Sequence, residues 1–135
     1  MNEPETILKI FKMKTIAVVG LSPNPMRPSY RIAAYLQSQG YRIIPVNPGH
    51  DVILGETSYP SLKDIPEQID IVDVFRKPEH VGPIVDNAIA IGAKALWLQD
   101  GVIDEAAAKR AEAAGLLVVM NDCMLRQHQR LFGLF

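Results

Sequence analysis

Five short apolar runs recur along the chain, at Thr15–Val19, Tyr41–Val46, Ile69–Phe75, Ala95–Leu98 and Leu116–Met120. The first runs Thr15-Ile16-Ala17-Val18-Val19 without polar alternation and stops at Gly20. Such a run predicts a strand buried on both faces, as in a parallel sheet covered by helices. Between the runs the apolar spacing turns helical. Ile7, Leu8 and Phe11 mark one short helix that ends near Lys12, with Asn2 expected to cap it and Glu5 to reach back. Ile32, Ala33 and Leu36 mark a second, for which Ser29 after Pro28 is the expected N-cap and Gly40 the stop. Val81, Ile84, Val85 and Ala88 follow the i, i+3, i+4, i+7 pattern of a third, closed by Gly92. Asp104-Glu105 opens an alanine-rich fourth that ends at Gly115, and a last helix is expected over Cys123 to Phe132.

Residues 50–68 read as irregular, punctuated by Gly55, Pro60 and Pro66, with one helical turn from Leu62 to Ile65. Strands alternating with helices at this spacing predict an α/β fold: a Rossmann-like, doubly wound parallel sheet of about five strands with helices on both faces. A length of 135 residues fits a single domain over 1–135 and is enough for a core without disulfides or metals. The single cysteine, Cys123, allows no intramolecular disulfide.

The formal net charge of −1 argues against a general nucleic-acid binder but is compatible with a local cationic pocket. Met1–Glu5 carries two acids and a proline rather than a basic region before an apolar run, and the apolar runs are strand-sized. No membrane partner is expected, and a soluble cytoplasmic location is.

In doubly wound sheets ligands bind at the carboxyl ends of the strands, where the strand order reverses. Those ends supply Gly20-Leu21-Ser22, Asn47-Pro48-Gly49, Phe75-Arg76-Lys77-Pro78, Gln99-Asp100-Gly101 and Asn121-Asp122. The turn after the first strand aims backbone N–H groups and the positive end of a helix at one point, which suits a phosphate. The dinucleotide fingerprint G-x-G-x-x-G is absent, because Leu-Ser-Pro-Asn-Pro-Met-Arg-Pro-Ser follows Gly20. The alternative phosphate donors are the hydroxyls of Ser22 and Ser29 and the guanidinium of Arg27. Each has a plain structural reading as well: Gly20 as a strand stop, and Arg27, Arg76 and Lys77 as solvated cations.

The segments T-I-A-V-V-G-L-S…R-P-S-Y, Y-R-I-I-P-V-N-P, I-D-I-V-D-V-F-R-K-P, G-A-K-A-L-W-L-Q-D-G-V and N-D-C-M, in that order, resemble the single-domain CoA-binding proteins of the YccU-like group. That group is similar to the CoA-binding domain of the succinyl-CoA synthetase α-subunit. The resemblance covers nearly the whole chain and implies coenzyme A, or an acyl-CoA, as the small-molecule partner. It implies that Gly20, Ser22, Arg27 and Ser29 surround the pyrophosphate, with Leu21 and Tyr30 from the same segments in the cofactor-binding set. Asn47 and Pro48 are implied near the adenosine and its 3′-phosphate, and Phe75, Arg76 and Lys77 around adenine or phosphate. Gln99 and Gly101 are implied on the pantetheine side. The larger enzyme keeps its phosphorylated histidine in a second domain, so the resemblance supports binding and not ligase chemistry.

Cys123, Asp122 and His128 raise a nucleophile reading, but five residues along one helix put Cys123 and His128 about 140° apart. Cys123 is expected to be an inert buried thiol, or a partner for the CoA thiol in a mixed disulfide. His50 and His80 show no metal-ligand spacing with it, and Trp97 reads as core. The alternative to a CoA binder is an NAD(P)-binding enzyme or redox sensor on the same fold. Against that stand the missing glycines and Asn47-Pro48 where a ribose-binding acid would close the second strand. A homo-oligomer or an unidentified protein partner is left open, with Phe132, Leu134 and Phe135 as apolar residues for either.

Overall fold

The computed structural model describes residues 1–133, so the packing of Leu134 and Phe135 lies outside the described residues. The strands in chain order are β1 (Thr15–Val19), β2 (Arg42–Val46), β3 (Val52–Ile53), β4 (Glu56–Thr57), β5 (Ile71–Val74), β6 (Ala95–Leu98) and β7 (Leu117–Met120). The helices are α1 (Pro4–Phe11), α2 (Pro28–Ser38), α3 (Val81–Ala90), α4 (Glu105–Ala113) and α5 (Met124–Phe132). Short 3₁₀ turns lie at Leu62–Asp64 and Pro78–His80.

Five strands form one parallel sheet in the order β2-β1-β5-β6-β7, with β1 paired to β2 on one side and to β5 on the other. Parallel neighbours need crossovers, and α2, α3 and α4 supply them between β1 and β2, β5 and β6, and β6 and β7. The order reverses between β1 and β5, which puts the ligand crevice of a doubly wound fold at their carboxyl ends.

Alternate residues of each strand feed two cores. Ala17, Val19, Val72, Val74, Leu96 and Leu98 meet α3 and α4 on one face. Ile16, Val18, Ile71, Ala95, Trp97 and Val119 meet α1, α2 and α5 on the other. With both faces covered, every residue of β5 and β6 is buried, which is why these strands read as apolar runs. Trp97 is wholly buried, and its Nε1–H donates to the Asp122 carbonyl at 2.9 Å.

Several expectations are corrected. Ser29 is not the N-cap of α2: Arg27 holds that position and Pro28 the first helical one, where its fixed φ and missing N–H cost nothing. Asn2 does not cap α1, whose N-cap is Glu3. Asn2 instead pairs with the edge of β7, donating from Nδ2 to the Met120 carbonyl and accepting the Met120 N–H at Oδ1, both at 2.8 Å. The stretch 50–68 holds the β3–β4 hairpin, whose turn residues Leu54 and Gly55 both have positive φ. A leucine in that conformation hides the usual Asn-Gly hairpin signal. Strands β2, β5 and β7 begin one or two residues later than their apolar runs, and α5 begins at Met124 with Cys123 as its N-cap.

Candidate functional site

A cavity of about 570 Å³ opens at the carboxyl ends of β1, β5 and β6, lined among others by Gly20, Ser22, Arg27, Ser29, Phe75 and Gln99. Gly20 ends β1 with φ +87°, and a Cβ there would stand 2.5 Å from the Phe75 carbonyl oxygen and 2.9 Å from Arg76 Cδ. Only glycine lets β1 and β5 close at this point. The turn after it carries its own hydrogen bonds. Ser22 Oγ accepts the Asn24 N–H at 3.1 Å, Asn24 Oδ1 the Met26 N–H at 2.9 Å, and Ser29 Oγ the Ser22 N–H at 3.0 Å. Ser29 is buried, so its hydroxyl holds the turn against the first turn of α2.

Because no side chain caps α2, the first-turn amides of Ser29 and Tyr30 are left for a ligand or water. Arg27 is exposed, and among the described residues its guanidinium makes no ion pair or hydrogen bond. A helix start, two hydroxyls and an unpaired cation meet at one end of the cavity, a set of donors of the kind that anions take.

The β6 end differs. Gln99 is buried; its Nε2 donates to Asp73 Oδ1 at 2.6 Å and its Oε1 accepts the Met124 N–H at 3.3 Å. Asp73, in the middle of β5, is fully buried, and its Oδ2 has no hydrogen-bond partner among the described residues. Burial pushes its carboxyl up to about 7, against the hydrogen bond from Gln99. Asp100 and Val102 also line the cavity. The Arg126 guanidinium grips both Asp100 oxygens at 3.0 Å and holds that carboxyl below its ordinary range.

Of the residues singled out in the sequence, Gly20, Ser22, Arg27, Ser29, Phe75 and Gln99 meet at this cavity. Pro48 and Arg76 line a smaller cavity of about 140 Å³, alongside Val19 and Val46 on the other face of the strand ends. Leu21, Tyr30, Asn47, Lys77 and Gly101 line neither. The Leu21 side chain is in the core, and its carbonyl accepts Asn47 Nδ2 at 3.0 Å, so Asn47 ties the turns after β1 and β2 together. Tyr30 packs against the core on the α1, α2 and α5 face. Lys77 is exposed at the start of a 3₁₀ turn. Gly101, with φ +79°, donates its N–H to Asn121 Oδ1 at 2.8 Å.

Pro28 and Val102 line the cavity without having been singled out, and Asp100, named only within the strand-end segment Gln99-Asp100-Gly101, lines it as well. The Asp100 carboxylate at the cavity wall is paired with Arg126, far along the chain. Cys123 and His128 are not brought together. Cys123 Sγ accepts the Arg126 N–H at 3.5 Å, whereas His128 is buried among Phe11, Tyr41 and Phe132 with Nδ1 2.7 Å from Tyr35 Oη. Among the described residues no three His, Cys, Asp or Glu side chains cluster as a metal site, and no helix is long and apolar enough to cross a membrane.

A family model described as a CoA binding domain matches residues 14–129, from just before β1 to near the end of α5. The chain belongs to this CoA-binding domain family. It is 39% identical over 117 residues to the uncharacterized protein YneT of Bacillus subtilis, covering 87% of each chain. It is 30% identical over 105 residues to the ADP-forming acetate–CoA ligase II of Archaeoglobus fulgidus, with 76% of this chain matched to 16% of that enzyme. A solved structure of a hypothetical protein from Pyrococcus horikoshii superposes with a TM-score of 0.92 at 43% identity, covering 96% of this chain and 92% of that one. Such likeness carries the Rossmann-like fold across the whole family domain.

Proposed function

We propose that the chain binds coenzyme A or an acyl-CoA at the carboxyl ends of β1, β5 and β6, and performs no ligase chemistry of its own. The observation that carries this reading is the anion site at the β1–α2 turn, built without the dinucleotide glycines inside a CoA-binding domain. The cavity has the size of ordinary small-molecule sites. The diphosphate sits on the free amides of α2, with Arg27 and the hydroxyls of Ser22 and Ser29 around it. The adenosine end lies toward Pro48 and Arg76 at the smaller cavity, and the pantetheine arm runs toward Gln99 and Val102. Gly20 supports the fit, since its missing Cβ lets the chain turn closely at the strand end. The chain's own residues bind and orient the ligand; the cavity-lining set holds no nucleophile beside a base.

An NAD(P) reading is weaker on these grounds. Asn47 stands where an acid would hold the ribose hydroxyls, and its side chain is already engaged with Leu21 and Gly49. The experiment is a thermal shift of the purified protein with CoA, acetyl-CoA, dephospho-CoA, NAD and NADP. Ligands that bind only the folded state raise the melting temperature. The expected result is stabilisation by CoA and acetyl-CoA, less by dephospho-CoA, and none by NAD or NADP. Stabilisation by NAD or NADP alone overturns the proposal.

A further inference from the structure

Asp73 is the residue of the sheet that packing does not explain. It lies at the centre of β5 beside Val18 and Trp97, fully buried, and one of its oxygens has no partner among the described residues. An apolar side chain in that place would spare the cost of burying a carboxyl. What Asp73 does have is Gln99, whose Nε2 donates to its Oδ1 at 2.6 Å. On the opposite side of the same amide, Oε1 accepts the Met124 N–H at 3.3 Å.

These two partners admit one orientation of the amide. A peptide N–H can only donate, and the Asp73 oxygen facing Gln99 accepts, so a flipped amide would set oxygen against oxygen and N–H against N–H. A proton on Asp73 Oδ2 leaves Oδ1 an acceptor, so the orientation survives protonation. Each end of the amide then keeps one unused valence, an Nε2 proton and an Oε1 lone pair, and Gln99 lines the larger cavity.

We infer that Asp73 is a positioning residue, which through Gln99 presents a fixed amide N–H to a carbonyl oxygen of the pantetheine arm. The inference rests on the CoA reading above. It assigns the cost of the buried carboxyl to ligand recognition, and it makes the β5–β6 pair part of the site although Asp73 itself does not line the cavity.

The test is titration calorimetry of wild type, Asp73→Val, Asp73→Asn, Gln99→Leu and the Asp73→Val/Gln99→Leu double variant. Each is titrated with CoA and with adenosine 3′,5′-bisphosphate, which lacks the arm. Asp73→Val is expected to weaken CoA about fivefold to tenfold, the worth of one hydrogen bond, and to leave the bisphosphate unchanged. Asp73→Asn restores an acceptor and is expected to recover the lost affinity. The double variant is expected to bind CoA no more weakly than Gln99→Leu alone, since nothing is left to orient.

Wild-type affinity for CoA in Asp73→Val, an equal loss for both ligands, or a further loss in the double variant would each overturn the role of Asp73. Should Asp73→Val not fold, Gln99→Leu decides, and unchanged CoA affinity there overturns it. A wild-type protein that binds no CoA overturns the parent reading and this inference with it, an outcome distinct from wild-type binding with indifferent variants.

Discussion

At the β1–α2 end of the larger cavity Arg27 is without an ion-pair partner among the described residues, whereas at the β6–α5 end Arg126 is shared between Asp100 and Asp122. The first end offers free amides, hydroxyls and an unspent cation. At the second, the Arg126 guanidinium faces the two carboxylates of Asp100 and Asp122, and among the described residues the buried Asp73 has one side-chain partner, Gln99. On the CoA reading proposed above, ligand charge belongs at the first end, and the second suits an uncharged arm with amide and thiol or thioester groups. The contrast also separates two kinds of cost. The unpaired Arg27 is exposed and well solvated, so leaving it free costs little; the half-paired Asp73 is fully buried, so it costs a great deal.

The sharpest way to expose that cost is pH. Asp73 titrates at about 7 in the folded chain against an ordinary 3.8. A raised folded value means that the stability this group permits is fully present below pH 3.8, and is lost as pH rises through about 7. Asp73→Asn removes the ionisation and keeps the shape. By linkage it is expected to exceed wild type by up to about 4 kcal/mol at pH 8 and to lie close to it only at pH 3, below both values. His128, whose buried ring titrates below its ordinary value, slopes the other way, so the difference between the two proteins is the quantity to read. Urea denaturation at both pH values checks this; a difference independent of pH would show that Asp73 does not titrate in that window.

Arg27→Ala attacks the other end. Arg27 is exposed and supplies no side-chain cap to α2, so its loss is expected to leave the unfolding midpoint unchanged. The affinity for CoA is expected to fall by about 1.5–3 kcal/mol, the worth of a hydrogen bond to a charged group. Titration of the variant checks it, and unchanged affinity would remove Arg27 from the phosphate site.

The contrast between the two ends was only half legible in the sequence. Gly20, Ser22, Arg27 and Ser29 lie within one turn, so a buried run followed by a glycine and a helix start was enough to place them together. The strand runs carried the fold for the same local reason. The role of Ser29 was misread because its partner is a backbone amide seven residues earlier, a contact that only the folded turn reveals. The β6 end depends on longer links: Gln99 to Asp73 spans 26 residues, and Asp100 to Arg126 likewise 26. An aspartate in a strand run and another in a turn have no local signature of a partner that far away. The β3–β4 hairpin was missed through Leu54, an apolar side chain in the left-handed region where asparagine or glycine is the ordinary signal.

The smallest expected effect bears on whether the contrast is one of charge at all. Arg126→Ala leaves Asp100 unneutralised at the cavity wall, but both are more than half exposed, and water screens most of what the pair contributes. Stability is expected to fall by about 0.2–1 kcal/mol, and CoA affinity by less than Arg27→Ala costs, with the loss shrinking as salt rises. Titrations at low and high ionic strength, run beside Arg27→Ala, make the comparison direct. A loss as large as that of Arg27→Ala would mean that Arg126 meets phosphate itself, and the polarity assigned to the cavity would have to be reversed. A small, salt-sensitive loss is the result expected of an Arg126 that acts only by cancelling a carboxylate beside an uncharged arm.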